Sequence, residues 1–139
     1  TEVGLLPGAL IRNRDLHFIC DRVPLKIENT QSIWTGNYPE KGVIILPIAH
    51  GEGRYFADAD TLTFLEDNGQ VLFRYCSSQG EVNDASNPNG SLHNIAGITN
   101  QKGNVLGMMP HPERASDPVL GATDGFDLFQ GLLKETVMV

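Results

Sequence analysis

The sequence lacks two features that would direct a functional interpretation: a hydrophobic run long enough to span a membrane, and an excess of basic residues. Ten Lys and Arg residues stand against 17 Asp and Glu, so the formal net charge is −7. This acidic balance disfavours nucleic acid or an anionic membrane as the main partner. We therefore expect a protein that binds neither nucleic acid nor a membrane.

Cysteine is also scarce. Cys20 and Cys76 are the two cysteines, and they lie far apart without the spacing of a metal site. Because both fall in apolar, strand-like runs, we expect buried free thiols and a reducing, cytoplasmic location. Neither thiol has the glycine-punctuated turn that favours a catalytic thiolate.

A length of 139 residues with 40% hydrophobic residues, 15 Gly and 8 Pro is typical of one turn-rich α/β or β-rich domain. Residue patterns predict a mixed sheet and a few flanking helices. The opening residues 1–8 read like the end of a helix that began earlier, so we expect the C-terminal portion of a longer domain. Strands are predicted in 17–28, 42–48, 70–76, 95–99 and 105–109, and helices over 58–68 and from Asp124 or Gly125 onward.

The most informative stretch is Pro110-His111-Pro112-Glu113, which follows the last predicted strand. Proline favours extended geometry in the residue before it, and in an extended chain alternate side chains share one side. His111 and Glu113 are thereby predicted to pair, with the carboxylate orienting an imidazole that acts as a general base. A solvated turn, or a carboxylate at a helix start, is the simpler interpretation of this spacing alone.

A second candidate stretch is His50-Gly51-Glu52-Gly53, directly after a β-branched strand. Loops that follow central strands of α/β sheets often contact ligands. The simpler interpretation is an ordinary tight turn with a surface Glu. A metal site built from His50, His93 and His111 has weak support, because no two of them have a ligand spacing.

Several motifs in order resemble the glutaminase component of phosphoribosylformylglycinamidine synthase, a class I (triad-type) glutamine amidotransferase. The opening ten residues resemble the segment after that family's nucleophile elbow. The motifs are Pro47-Ile48-Ala49-His50-Gly51-Glu52-Gly53-Arg54-Tyr55, Asn87-Pro88-Asn89-Gly90-Ser91, Ile95-Ala96-Gly97-Ile98 and Gly107-Met108-Met109-Pro110-His111-Pro112-Glu113-Arg114.

The resemblance implies a flavodoxin-like α/β fold and a Cys-His-Glu triad that hydrolyses glutamine to supply ammonia for purine biosynthesis. It implies that His111 is the general base and Glu113 its orienting carboxylate. His50, Gly51 and Glu52 are implied as a wall of the glutamine pocket. The implied partners are a large synthetase subunit, which uses ATP and Mg²⁺, and a small accessory subunit; no cofactor is implied for this subunit.

The resemblance places the nucleophilic cysteine before Thr1, so residues 1–139 are expected to be inactive alone. Two alternatives remain open at this point. One is a non-catalytic amidotransferase-like module for docking or binding, which would have no need of an intact His111 and Glu113. The other is a small thiol or metal enzyme that uses Cys76 and the histidines.

Overall fold

Short strands rich in β-branched residues build most of this molecule. The computed structural model describes residues 1–137, with side chains as far as residue 133. The α-helices in this part are α1 (Ala59–Asp67) and α2 (Phe126–Val137). The strands are β1 (Ala9–Ile11), β2 (Ile19–Ile27), β3 (Val43–His50), β4 (Arg54–Phe56), β5 (Val71–Tyr75), β6 (Ile95–Thr99) and β7 (Leu106–Met108).

The predicted strands and helices are confirmed, with boundaries shifted by one or two residues at most ends. Helix α1 begins where expected, because the Asp58 side chain accepts a hydrogen bond from the Thr61 N–H and so caps the first turn. Its Leu62 and Leu65 are buried, as their helical spacing predicts. The prediction that residues 1–8 are the end of a helix is wrong: they form turns and bends, with the Gly4 N–H bonded to the Thr1 carbonyl.

Five strands form one sheet in the order β3-β2-β5-β6-β7, while β1 and β4 form a separate pair. Every pairing among the described strands is antiparallel, which corrects the predicted mixed sheet within residues 1–137. Parallel neighbours need a crossover connection, usually a helix. Here α1 instead leads from β4 in the small sheet to β5 in the large one.

Strand β5 lies at the centre of the core. Val71, Leu72, Phe73 and Tyr75 are all at most 3% exposed, so both faces of this strand are covered. One hydrophobic cluster joins β5 to β2, β3 and α2, and a second joins it to α1 and β6. The β5–β6–β7 part of the sheet therefore gives the segment that follows β7 a rigid base.

The two cysteines differ, and the prediction that both are buried is wrong for Cys20. Cys76 is 1% exposed, whereas Cys20 is exposed on the first half of β2. That half of β2 pairs with β3 only, because β5 reaches no further than Leu25–Ile27. Its other edge has no neighbour among the described strands, and residues 20–22 are all exposed.

The loop between β2 and β3 is tied to the start of α2 by long-range hydrogen bonds. The buried Tyr38 hydroxyl donates to the Asp124 carbonyl at 2.7 Å and accepts from the Leu128 N–H at 3.1 Å. The Asp124 carboxylate in turn accepts from the Ile45 N–H on β3 at 2.7 Å. Burial raises the pKa of Tyr38, so the phenol stays neutral and can donate.

Neither α1 nor α2, the α-helices of the described part, has the length and apolar character that crossing a membrane requires.

Candidate active site

The candidate site forms where the chain leaves β7. A 3₁₀ turn, Pro112–Ala115, begins directly after His111, with proline at its first position, where no N–H is needed. The His111 N–H donates to the Pro47 carbonyl of β3 at 2.8 Å. The backbone that carries the histidine is therefore anchored to the edge strand of the large sheet.

The predicted pairing of His111 with Glu113 is present. The imidazole Nδ1 lies 2.9 Å from Glu113 Oε1, and the two side chains are 31% and 56% exposed. A carboxylate at Nδ1 favours the tautomer with the proton on Nδ1, which leaves Nε2 free to accept a proton. The backbone geometry predicted for this pairing is wrong, because the 3₁₀ turn, and not an extended chain, brings the two side chains together.

His50, the second candidate, occupies a different kind of environment. It is 7% exposed at the end of β3. Its Nδ1 lies 3.0 Å from Asn13 Oδ1, and its Nε2 lies 3.4 Å from Asn89 Nδ2. Burial, followed by the nearby charge of His111, lowers the pKa of His50. Burial thus favours the neutral form of His50, and protonation of His111 would favour it further.

Gly51 and Glu52 form the tip of the turn between β3 and β4. The Glu52 side chain is 68% exposed and lies 3.6 Å from the Arg12 guanidinium. Gly51 is half-buried, and its carbonyl accepts from the Asn13 N–H at 3.0 Å. The turn is therefore presented to solvent by an anchored backbone, and its role in binding glutamine stays a prediction.

Sequence reasoning does not identify Asn13 and Asn89 as parts of this site. The pattern around Asn13 indicates only a polar turn, and Asn89 stands out only as part of a motif between strands. Both contact His50 across 37 and 39 residues of sequence. No local pattern relates residues at such separations, so only the folded chain shows the cluster.

The cysteines and the remaining histidine lie in other surroundings. Within the described residues, neither thiol hydrogen-bonds to the His111 imidazole. Burial raises the pKa of the Cys76 thiol, which opposes its use as a thiolate. His93 pairs with Glu66 at 3.1 Å on the surface. No group of three or more His, Cys, Asp or Glu among the described residues could hold a metal ion.

Gly125 is expected to be needed for the placement of the His111–Glu113 turn. A Cβ on Gly125 would lie 2.2 Å from the Pro112 carbonyl oxygen, and its N–H donates to the Ala115 carbonyl at 2.7 Å. Gly125→Ala must therefore displace the turn, at a cost of about 1–3 kcal/mol in the free energy of unfolding. Chemical denaturation of the full-length protein measures this cost.

Gly103→Ala is the matched control for that substitution. A Cβ on Gly103 meets nothing within 4 Å, so its cost is confined to the positive φ of the hairpin turn. Glutamine-dependent activity should fall for Gly125→Ala and stay near that of the wild type for Gly103→Ala. Glutamine-dependent activity of Gly125→Ala equal to that of Gly103→Ala would contradict the close contact with Pro112.

Comparison with known proteins places these features in a family. The family model for the CobB/CobQ-like glutamine amidotransferase domain matches residues 5–124. The phosphoribosylformylglycinamidine synthase subunit PurQ of Synechocystis sp. is 72% identical over 129 residues, which are 93% of this chain and 58% of that protein. The subunit of the same name from Gloeobacter violaceus is 61% identical over 139 residues, 100% of this chain and 60% of that protein.

The solved structure of PurLQS from Thermotoga maritima is similar in fold. It has a TM-score of 0.80 and 39% sequence identity, and the match covers 97% of this chain and 56% of that chain. The predicted class I glutamine amidotransferase fold is thereby confirmed. The chain spans about three-fifths of the length of the curated relatives it matches. Since the family model covers most of its residues, this chain belongs to the CobB/CobQ-like glutamine amidotransferase family.

Proposed function

We propose that this chain is the base-bearing portion of the glutaminase component of phosphoribosylformylglycinamidine synthase. The observation that carries the proposal is the 2.9 Å pairing of His111 with Glu113 in a chain 72% identical to a subunit of that name. A histidine oriented by a carboxylate is the base of a nucleophilic triad. The pair is partly exposed, as a group that meets a small substrate must be.

In the proposed reaction a cysteine thiolate attacks the side-chain amide carbon of glutamine. His111 Nε2 takes the thiol proton and returns it to the departing nitrogen, so the C–N bond breaks, ammonia leaves and a glutamyl thioester forms. Water, deprotonated by the same imidazole, then attacks the thioester to release glutamate and regenerate the thiol. Glu113 stays ionised and stabilises the imidazolium that forms in each step.

The nucleophile is proposed to be a cysteine outside residues 1–139. Two observations support this: Cys76 is buried with a raised pKa, and Cys20 lies on a strand without the turn that activates a thiolate. The glutamine pocket is proposed to use the segment His50-Gly51-Glu52 as one wall, with Gly51 and Glu52 at the tip of the turn and His50 buried at its base. The Glu52 carboxylate at the exposed tip suits the α-ammonium group of glutamine.

The ammonia is proposed to pass to a large synthetase subunit, assembled with a small accessory subunit, for an ATP-dependent amidation in purine biosynthesis. ATP and Mg²⁺ would act in that partner, and this subunit would need no cofactor of its own. The names of the relatives, a synthase subunit called PurQ and a solved structure of PurLQS, support such an assembly. A cytoplasmic location is proposed with it.

Labelling with a glutamine-analogue affinity reagent, followed by intact-mass and peptide analysis, tests the proposal on the full-length protein. We expect one label per chain, on a cysteine outside residues 1–139, and unchanged labelling in a Cys20→Ser/Cys76→Ser variant. A label on Cys20 or Cys76 would overturn the assignment of the nucleophile. Failure of the full-length protein to react at all would overturn the glutaminase assignment itself.

A further inference from the structure

We propose that His50 is a positioning residue of the glutaminase site. Held neutral by two asparagines, it fixes the Gly51–Gly53 turn at the end of β3, the strand to which the His111 backbone is hydrogen-bonded, and it neither contacts glutamine nor exchanges a proton. This inference rests on the proposed function, since it concerns what the turn does for glutamine. It also assigns roles to Asn13 and Asn89, which contact the two ring nitrogens of His50 and form with it the cluster Asn13–His50–Asn89.

Asn13 determines which nitrogen of His50 carries a proton. Asn13 Oδ1 accepts from the Gly53 N–H at 3.1 Å, while Asn13 Nδ2 donates to the carbonyls of His50 and His17 at 2.9 and 2.8 Å. These three bonds are made to backbone groups, so they fix which end of the Asn13 amide is oxygen and which is nitrogen independently of the His50 imidazole. Because Oδ1 can only accept, the His50 Nδ1 that lies 3.0 Å from it must be the protonated nitrogen.

Asn89 closes the other side of the ring. Asn89 Nδ2 donates to the Gly53 carbonyl at 2.8 Å, and Asn89 Oδ1 accepts from the Ser91 N–H and hydroxyl at 3.0 and 2.8 Å. The His50 Nε2 therefore faces an amide N–H₂ group at 3.4 Å. A proton on Nε2 would point at another donor, so the cluster disfavours the imidazolium.

The turn packs directly on the imidazole. A Cβ on Gly53 would lie 2.4 Å from His50 Cε1 and Nδ1, so only glycine lets the backbone come this close. Asn13 also donates its N–H to the Gly51 carbonyl at 3.0 Å. The backbone of the turn is thus held at Gly51 and Gly53. It packs against the His50 imidazole, and the Glu52 side chain lies at the exposed tip.

The surroundings of His50 keep it from taking part in proton transfer. The charged group that acts on it is His111, whose cationic form opposes a second positive charge nearby. Tyr75 faces the cluster through its hydroxyl, which lies 3.3 Å from Asn89 Nδ2, and it is buried. A neutral His50 leaves His111 as the one imidazole of the pair available to gain and lose a proton.

Two substitutions at position 50 separate positioning from direct contact. In the full-length protein assembled with its synthetase partners, glutamine in His50→Gln supplies one donor for Asn13 and one acceptor for Asn89. We expect His50→Ala to raise the KM for glutamine about tenfold or more, with a smaller fall in kcat, and His50→Gln to restore most of the loss. Ammonia-dependent synthesis should be unchanged in both variants.

His93→Gln, at the surface pair with Glu66, serves as the control and should behave like the wild type. A hundredfold or larger loss of kcat in His50→Gln, equal to that in His50→Ala, would show direct participation and overturn the proposal. Loss of thermal stability in His50→Ala, with both kcat and KM for glutamine unchanged, would overturn it too, because the histidine would then serve the fold alone.

A spectroscopic measurement gives an answer that is independent of activity. In ¹⁵N NMR of the full-length protein, His50 should show the Nδ1–H tautomer and titrate below the ordinary pKa of histidine. An Nε2–H tautomer, or titration at or above that ordinary value, would overturn the proposal. Full glutaminase activity in a His111→Ala variant would instead refute the proposed function, while leaving this spectroscopic result to stand by itself.

Discussion

Alanine at position 111 is expected to abolish glutamine-dependent synthesis by the assembled enzyme, with a loss on the order of 10⁴-fold or more in kcat/KM for glutamine. The imidazole Nε2 is the proposed acceptor of the thiol proton. Glu113 contacts the opposite nitrogen, Nδ1, so its carboxylate is too far from the thiol to replace the imidazole as the base. The measurement is steady-state glutaminase activity of the full-length protein in its complex.

The same variant should keep its ammonia-dependent synthesis, because that reaction bypasses the glutaminase site. The His111 side chain is partly exposed, and the hydrogen bond that anchors this residue to β3 runs from its backbone N–H to the Pro47 carbonyl. Alanine at position 111 therefore preserves that hydrogen bond. A parallel loss of ammonia-dependent activity would indicate damage to the complex. Retention of glutaminase activity within tenfold of the wild type would remove His111 from the triad.

Glu113→Gln is expected to lower glutaminase activity by about 10²- to 10⁴-fold, the upper figure being the loss seen when the orienting carboxylate of a serine-protease triad loses its charge. The amide can turn its N–H₂ toward Nδ1 and so favour the tautomer with the proton on Nε2, which cannot act as a base. Because the Glu113 side chain is 56% exposed, water can take over part of its role, which favours the lower part of this range.

The chain offers a matched control for that substitution. Glu66 accepts from His93 Nδ1 at 3.1 Å, a histidine–carboxylate pair of similar geometry on the surface, between α1 and the 3₁₀ turn Leu92–Asn94. Glu66→Gln removes the same charge from the same kind of pair, yet it should leave glutaminase activity unchanged. Equal effects of Glu66→Gln and Glu113→Gln would mean that loss of negative charge, and not orientation of the base, explains the result.

The features that could be predicted from the sequence are those that depend on residues close together in the chain. Helix α1, from its Asp58 cap to its buried leucines, follows from local spacing, and so do the five strands of the large sheet, whereas β1 and β4 were not predicted. The pairing of His111 with Glu113 was also predicted, although from the wrong backbone geometry. Both an extended segment and a 3₁₀ turn can bring side chains two residues apart into contact when the histidine lies just before the turn.

Features that depend on distant residues could not be predicted in this way. Cys20 is exposed in the part of β2 that pairs with β3 and not with β5, and the residues around Cys20 do not encode this pairing. The antiparallel sheet follows from which strands pair, and the burial of His50 follows from Asn13 and Asn89. In each case the deciding partner lies far away in the sequence.

The hydrogen bonds of Tyr38 bear on the order in which the protein becomes ordered during synthesis. Its partners Asp124 and Leu128 are 86 and 90 residues further along the chain. The loop between β2 and β3, which carries Tyr38, therefore cannot form these hydrogen bonds until residues 124–128 have left the ribosome. Loops closed over such separations form slowly. Gly125, which packs against Pro112, belongs to the same late segment. We therefore expect the His111–Glu113 turn to be among the last parts of this chain to settle, after the sheet beneath it.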